Sequence, residues 1–384
     1  MTTSHETDEH FLRRALDVAR QGVGLASPNP CVGAVIVDAT GTIVGRGGHT
    51  YEGVKHAEIM ALEQAGEKAR GATLYINLEP CSHQGRTAAC AEAVIAAGIS
   101  RVVAAMQDPN PRVSGQGFAK LRGAGIDVSV GILEDEAKAL NESFAKYIRH
   151  QVPLVTLKAA MTLDGKIAPP PGKSRPSEHS ASRNWITGES ARAHVQELRH
   201  QHDAILVGVG TVIADDPLLT DRSGCARRRP LLRVILDSRL RLPLLSRVVK
   251  TAADDVLVLC SFAEEKKKKQ LLRLGVRVEQ LPTANSEGHP EMAAVTKFLG
   301  QMEVTSLMIE GGAMVNGAAL AAGIVDKVFL YYAPRILGGT ASVPFAAGAG
   351  FASIADSALI KLTRLHRFGE DFAVEGYLKD PYAY

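Results

Sequence analysis

The sequence predicts an α/β fold arranged as two consecutive domains. Three observations carry that prediction. At 384 residues the chain exceeds what one ordinary core organises. Short apolar runs alternate along it with stretches of helical period. The alternation breaks once, at Gln151-Val152-Pro153, and resumes at Leu154. The expected domains are therefore 1–150 and 151–384.

In the first domain, residues 10–21 place Phe11, Leu12, Ala15, Leu16 and Ala19 on one helical face. A Gly- and Pro-rich turn covers 22–30, and the run Val32 to Val37 reads as a buried strand. After a turn at 38–41 come a strand at 42–44, a helix over 56–64 and a strand over 72–78 that delivers Glu79-Pro80-Cys81. Cys90 opens a helix at 91–97, a strand covers 101–105, and a helix at 133–148 closes the unit. This rhythm is that of an α/β sandwich.

The second domain reads as strands near 154–160, 204–208, 232–236, 255–260, 305–309 and 327–333. Helices fall near 188–201, 264–274, 291–300 and 313–322. Residues 169–179, rich in Pro and Ser, read as a mobile loop, and Lys266 to Lys269 as a solvated helix face.

Composition removes several function classes. A net charge of +3, a single Trp and 5% aromatics offer neither the basic field nor the stacking platforms of a nucleic-acid binder. The first ten residues are polar, so no secretory signal is expected. No stretch approaches the roughly 18 apolar residues of a membrane helix. Five scattered cysteines argue against a disulfide framework. The expectation is a reduced, soluble, cytoplasmic protein.

The chemistry concentrates between residues 56 and 90. His56, Cys81 and Cys90 supply one imidazole and two thiolates, three positions of a tetrahedral zinc, and leave the fourth open for water. An open site points to catalysis. Glu58, two residues past the first ligand, is placed to manage protons there. Cys31 is the only other nearby cysteine, and its Pro-Asn-Pro-Cys-Val-Gly setting suits a small residue packed under the site. Asn29 on the same turn is placed to meet a ring edge; turn chemistry between two prolines would account for it equally.

In the second half, Met308-Ile309-Glu310-Gly311-Gly312-Ala313 reads as a strand end, a glycine turn and a helix start, suited to a pyrophosphate. Gly208-x-Gly210 lacks the third glycine of a dinucleotide fingerprint. Physical reasoning alone reaches a nucleotide-binding α/β domain.

His-x-Glu, Pro-Cys and Cys together have the layout of zinc deaminases acting on nucleobases. Nucleic-acid and cytidine-type members usually carry Cys-x-x-Cys, whereas eight residues separate Cys81 from Cys90. The loop Cys81-Ser82-His83-Gln84-Gly85-Arg86-Thr87-Ala88-Ala89-Cys90 resembles the pyrimidine deaminases of riboflavin biosynthesis, with Ala88-Ala89 where that family has two prolines. The resemblance implies a cytidine-deaminase-like αβα sandwich and a phosphoribosylated pyrimidine as substrate; His83 and Arg86 are polar enough to meet its phosphoribosyl group, and loop surface would account for them equally.

Leu163-Asp164-Gly165-Lys166-Ile167-Ala168, Trp185-Ile186-Thr187-Gly188, Thr211 with Asp215-Asp216-Pro217, Glu310-Gly311-Gly312 and Pro334 to Gly339 resemble the pyrimidine reductases of the same pathway. That family implies a dihydrofolate-reductase-like α/β domain, NADPH as cofactor, and reduction of a ribosyl to a ribityl chain. It implies NADPH contacts at Ala160, Trp185, Thr211, Asp215, Ser238, Gly312, Ala313, Met314, Val315, Asn316, Gly317 and Ala318. It places Arg199, Leu219, Arg222 and Glu310 against the phosphorylated substrate; Lys158 and Asp164 are, equally, candidate polar partners for the protonation that accompanies hydride transfer. Two arginines suit phosphate, which a guanidinium grips through paired hydrogen bonds. The family's substrate-contacting serine has its nearest counterpart in Ser182, one step out of register. Both resemblances imply a homo-oligomer.

Two other readings compete. An RNA- or DNA-editing deaminase calls for a basic face and Cys-x-x-Cys, and the sequence has neither. A zinc-stapled interaction module would need no Glu58, so Glu58→Gln separates it from an enzyme.

Overall fold

The computed structural model describes residues 4–82, 89–170, 185–283 and 288–383. They form two compact units, one running to Gln151 with Ala226–Arg229, the other Val152–Cys225 with Pro230–Ala383.

The first unit contains α1 (Ser4–Arg20), β1 (Gly33–Val37), β2 (Ile43–Gly48), α2 (Ala57–Ala65), β3 (Thr73–Leu78), α3 (Cys90–Ala96), β4 (Arg101–Met106), α4 (Gln116–Gly123), β5 (Asp127–Val130) and α5 (Glu134–His150). Its sheet has the order β2-β1-β3-β4-β5. β1 is antiparallel to both β2 and β3, and β3, β4 and β5 are parallel. Alternate residues of the buried strands face opposite layers. Ala34, Ile36, Leu74, Ile76, Val102 and Ala104 pack with Ala57, Ala61, Val94, Phe118 and Leu121 in one core. On the opposite side Tyr75 donates a hydrogen bond to Asp8 of α1. Helices on both faces make an αβα sandwich. α4 and β5 were not expected from sequence; each is short, and β5 is not buried along its length.

Helix α2 lies very close to β2. A Cβ at Gly45 would sit 2.1 Å from the Ala61 carbonyl oxygen, and one at Gly47 2.0 Å from that of Ala57. Only glycine permits that approach, and the helix so seated carries Glu58.

The second unit contains β6 (Leu154–Thr162), β7 (Lys166–Ala168), α6 (Glu189–Gln201), β8 (Ala204–Gly208), α7 (Val209–Asp215), β9 (Leu232–Leu236), α8 (Arg247–Lys250), β10 (Val256–Cys260), α9 (Glu265–Arg273), β11 (Val276–Gln280), α10 (Met292–Gln301), β12 (Ser306–Ile309), α11 (Ala313–Ala321), β13 (Lys327–Ala333), β14 (Val343–Pro344), β15 (Lys361–Phe368) and β16 (Asp371–Tyr377). Nine strands form one sheet in the order β11-β10-β9-β8-β12-β6-β13-β16-β15, and β7 pairs with β14. The strands from β11 to β13 are parallel, while β16 and β15 are added antiparallel. Strand order reverses around β8 and β12, and ligands of such sheets bind beyond the carboxyl ends of the strands at that point. Two cores cover the faces, one including Ile205, Val207, Ile235, Val258 and Tyr331, the other Leu157, Leu206, Val234, Leu259 and Ile309.

Lys266 to Lys269 lie on α9, as expected of a solvated face. Most of the Pro/Ser-rich segment at 169–179, with His83, Arg86, Ala88 and Ser182, lies outside the described residues.

Candidate active sites

Three side chains converge in the first unit. His56 caps α2 from outside it, with φ −75° and ψ 158°, rather than standing in the first turn as the sequence led us to expect. Cys81 follows the end of β3, and buried Cys90 opens α3. His56 Nδ1 lies 3.2 Å from Cys90 Sγ and 3.6 Å from Cys81 Sγ, and all three ligand atoms fall within 4.8 Å of one another. A zinc with Zn–N about 2.0 Å and Zn–S about 2.3 Å spaces tetrahedral ligands about 3.5 Å apart. The two thiols contest one proton. The Cys90 thiol donates to Cys81 and holds its pKa well below the ordinary thiol range, and the same contact pushes Cys90 up. A dication resolves that contest by binding both as thiolates. The residues fit zinc.

Cys31 is not one of the cluster. Its backbone N–H donates to Asn141 and its carbonyl accepts from Asn77 and Asn141. A Cβ at Gly22 would lie 3.6 Å from its sulfur, consistent with a small packed residue.

Glu58, in the first turn of α2, is only 3% exposed, and burial pushes its carboxyl up to about 7. A carboxyl poised there gives and takes protons near neutrality. Asn29 stands within reach through a residue that sequence reasoning missed. His49 Nδ1 donates to the Lys55 carbonyl at 3.1 Å, and its Nε2 lies 3.0 Å from Asn29 Nδ2. The His49 ring stands edge-on to that of His56, with centroids 5.5 Å apart. Burial lowers the His49 pKa and favours the neutral ring.

Glu79 is also new. Its carboxylate accepts four backbone N–H groups, from Asp108, Gly115, Gly117 and Phe118, at 2.8–3.2 Å. Standing two residues before Cys81, it ties the ligand-bearing strand end to the start of α4. Neither residue had a sequence signal, because each acquires its role from partners distant in the chain.

In the second unit the carboxyl ends of β6, β8, β9 and β12 bring Ala160, Thr211, Ser238 and Glu310 to one edge of the sheet. A Cβ at Gly312 would lie 3.6 Å from Thr211 Oγ1, and one at Gly208 2.9 Å from Val315 Cγ2, so the two glycine turns adjoin. Gly312 is the N-cap of α11, whose first turn begins at buried Ala313, with Met314 exposed. Asn316 is fully buried and donates to the Phe345 carbonyl at 2.8 Å. A Cβ at Gly317 would meet the Ala347 carbonyl oxygen at 1.7 Å, so residue 317 must be glycine. Ala318 is exposed on the same helix, and Asp215 ends α7. Trp185 is 55% exposed under the Arg192 guanidinium, 5.2 Å from its ring centre.

The substrate-side residues divide. Arg199 donates from Nε and Nη2 to the two oxygens of Glu310 and from Nη1 to the Thr220 carbonyl. Lys158 Nζ lies 3.5 Å from Glu310. Leu219 is buried in the core at φ +58°. Arg222 has an exposed side chain and a backbone N–H bonded to Gln196. Of the two arginines, Arg222 has its side chain exposed, while that of Arg199 is bonded to Glu310. Asp164 accepts from Thr162, Leu337 N and Gly338 N, which fastens the turn after β6 to the segment after β13.

Comparison with known proteins agrees with the fold and with a zinc-binding deaminase region. Residues 5–106 match the cytidine and deoxycytidylate deaminase zinc-binding region, and residues 153–374 match the RibD C-terminal domain. The riboflavin biosynthesis protein RibD of Aquifex aeolicus is 42% identical over 96% of this chain and 98% of its own length. That of Escherichia coli is 39% identical over 95% and 97%. Among solved structures, Acinetobacter baumannii RibD superposes with a TM-score of 0.81 at 36% identity, covering 97% of this chain and 99% of that one. The Thermotoga maritima protein described as a diaminohydroxyphosphoribosylaminopyrimidine deaminase/5-amino-6-(5-phosphoribosylamino)uracil reductase gives 0.80, also at 36% identity and with the same coverage. With a zinc-site sandwich first and a parallel sheet with adjoining glycine turns at its strand ends second, the chain belongs to the RibD family of riboflavin biosynthesis enzymes, which join a cytidine-deaminase-like zinc domain to a reductase domain.

Proposed function

We propose that residues 1–150 deaminate 2,5-diamino-6-(5-phosphoribosylamino)pyrimidin-4(3H)-one and residues 151–384 reduce the product, 5-amino-6-(5-phosphoribosylamino)uracil, to its ribityl form with NADPH. The observation that carries this reading is the tetrahedral spacing of His56, Cys81 and Cys90 beside a buried carboxyl.

His56, Cys81 and Cys90 hold the zinc, which when bound supplies Lewis-acid activation of water. Glu58 takes one proton from the attacking water and gives it to the ring nitrogen, then takes the second from the hydroxyl on the tetrahedral carbon and gives it to the departing amine. Water oxygen replaces nitrogen on the ring carbon, and ammonia leaves. Asn29, held by His49, orients the ring edge.

In the second unit NADPH, when bound, supplies a hydride from its nicotinamide. The glycine turn at Gly311-Gly312 and the N-terminus of α11 suit its pyrophosphate. Glu310, fixed by Arg199, and Lys158 form a polar floor at the same strand ends. Arg222 meets the substrate phosphate.

Both substrates are free phosphorylated pyrimidines, and the enzyme works in the cytoplasm as a homo-oligomer without nucleic acid. Among the described residues no helix is long and apolar enough to cross a membrane. The test is a coupled assay with zinc analysis, following ammonia release and NADPH oxidation on the phosphoribosylaminopyrimidine. A folded, zinc-loaded protein that releases no ammonia from it would overturn the deaminase assignment.

A further inference from the structure

The chain leaves the first unit at Gln151, yet Ala226–Arg229 belong to that unit. Within this short segment Arg227 Nε donates to the Arg229 carbonyl at 3.2 Å. The Arg228 N–H donates to the Gly24 carbonyl at 2.9 Å, and its guanidinium carbon lies 3.7 Å from the centre of the Tyr51 ring. Gly24 and Tyr51 stand on different loops. The loop after α1 carries Asn29, and the loop between β2 and α2 carries His49 and ends at His56. The Tyr51 N–H donates to the Leu25 carbonyl at 3.1 Å, so the two loops touch where Arg228 sits. Its backbone grips one loop and its side chain the other.

Charge does not explain the position of that guanidinium. Its ion-pair partner, Glu52 Oε1, lies 3.9 Å from Nη1, beyond hydrogen-bond distance, on a side chain 78% exposed. An exposed ion pair of this kind contributes little. The Arg228 side chain is only 15% exposed, and its Nε is buried without a hydrogen-bond partner. Enclosing an unpaired charged donor costs stability. What holds the group is the face of Tyr51, a cation–π contact at van der Waals distance. Asn29 Nδ2 and His49 Nε2 meet at 3.0 Å, one atom from each of the loops so joined. That hydrogen bond lasts only while the loops keep their spacing.

We propose that Arg228 is a positioning residue of the deaminase site. By clamping the two loops it keeps Asn29 in register with His49, and a segment far beyond residue 150 thereby completes the site. The proposal rests on the deaminase reading of the first unit and deepens it.

Steady-state ammonia release by the full-length, zinc-loaded protein tests it, with zinc content and melting temperature measured on each variant. Arg228→Ala should raise KM by about three- to thirtyfold, the worth of a cation–π contact, with kcat within about twofold. Zinc content should not change. Tyr51→Leu should do the same, and the double variant should be no worse than either single one, because both remove one contact. Tyr51→Phe keeps the ring and should raise KM far less than Tyr51→Leu. Arg228→Lys, which returns a cation to the ring, should recover part of the loss. A merely structural arginine would lower the melting temperature and leave KM alone, and that result overturns the proposal. Effects that multiply in the double variant overturn the clamp as well. In both cases ammonia release by wild type leaves the deaminase reading standing. Wild type that releases none overturns that reading and the proposal with it.

Discussion

Arg199 and Glu310 form a two-pronged pair, with Nε and Nη2 donating to Oε1 and Oε2 at 2.9 and 3.1 Å. Both side chains are nearly enclosed, at 11% and 13% exposure. A buried pair of this kind matters most when one member is lost. Arg199→Met should therefore destabilise the protein by about 3–5 kcal/mol, because Glu310 keeps its charge without its main partner. Urea denaturation followed by circular dichroism measures this. A loss well under 1 kcal/mol would mean that Lys158 alone suffices.

The same pair sets a pH dependence. Burial alone would raise the Glu310 pKa, but Lys158 and Arg199 outweigh it and hold the carboxyl down to about 2. A folded pKa below the unfolded value adds stability that is complete above about 4.5 and lost as pH falls toward the folded value. The melting-temperature advantage of wild type over Glu310→Gln should thus be full at pH 6 and shrink between about pH 4.5 and 2. An advantage that is constant over that window would contradict the charge pairing.

Glu58→Gln keeps the shape of the side chain and removes its proton chemistry. Ammonia release should fall by about 10²–10⁴-fold while zinc content stays at wild-type level. Normal deamination in the variant would remove Glu58 from the mechanism.

His56→Ala removes one of three zinc ligands. The variant should lose zinc and deamination yet still oxidise NADPH when supplied with the deaminated pyrimidine. Loss of both activities in a protein that still melts cooperatively would show that the two sites are not independent.

Gly47 is where β2 touches α2, with no room for a Cβ beside the Ala57 carbonyl. Gly47→Ala should cost about 1–3 kcal/mol through overpacking and weaken zinc retention, because α2 begins at the ligand His56. Gly41→Ala is a control: a Cβ there meets nothing within 4 Å, and only its φ of +83° is at issue. Chelator competition reads zinc retention, which should change in the first variant and not in the second.

The His56, Cys81 and Cys90 cluster was legible because its members lie within 35 residues, on strand and helix ends that apolar periodicity marks. The central parallel strands were legible for the same reason, since burial on both faces leaves continuous apolar runs. β15 was not, because Lys361, Leu362, Thr363, Arg364 and Leu365 are all exposed and carry no alternation. α7 was hidden by Gly210 and by the β-branched Val209, Thr211, Val212 and Ile213, which argue against a helix taken locally. His49 and Glu79 were invisible because a single imidazole or carboxylate in a sequence says nothing of what it will face. The sequence also could not show that the Arg199 fork is committed to Glu310, since both residues read as substrate contacts.

The hydrogen bonds of His49 have a direction. Because Nδ1 must donate to the Lys55 carbonyl, Nε2 is left as an acceptor, and only the amide nitrogen of Asn29 can satisfy it. The Asn29 side chain is thereby locked in one of its two flips, with its carbonyl oxygen turned outward. A backbone carbonyl just before α2 thus decides, two hydrogen bonds away, which atom of the Asn29 amide faces away from His49. With Asn29 against the substrate ring, as proposed, that oxygen would favour an edge that offers an N–H over one that offers a second lone pair.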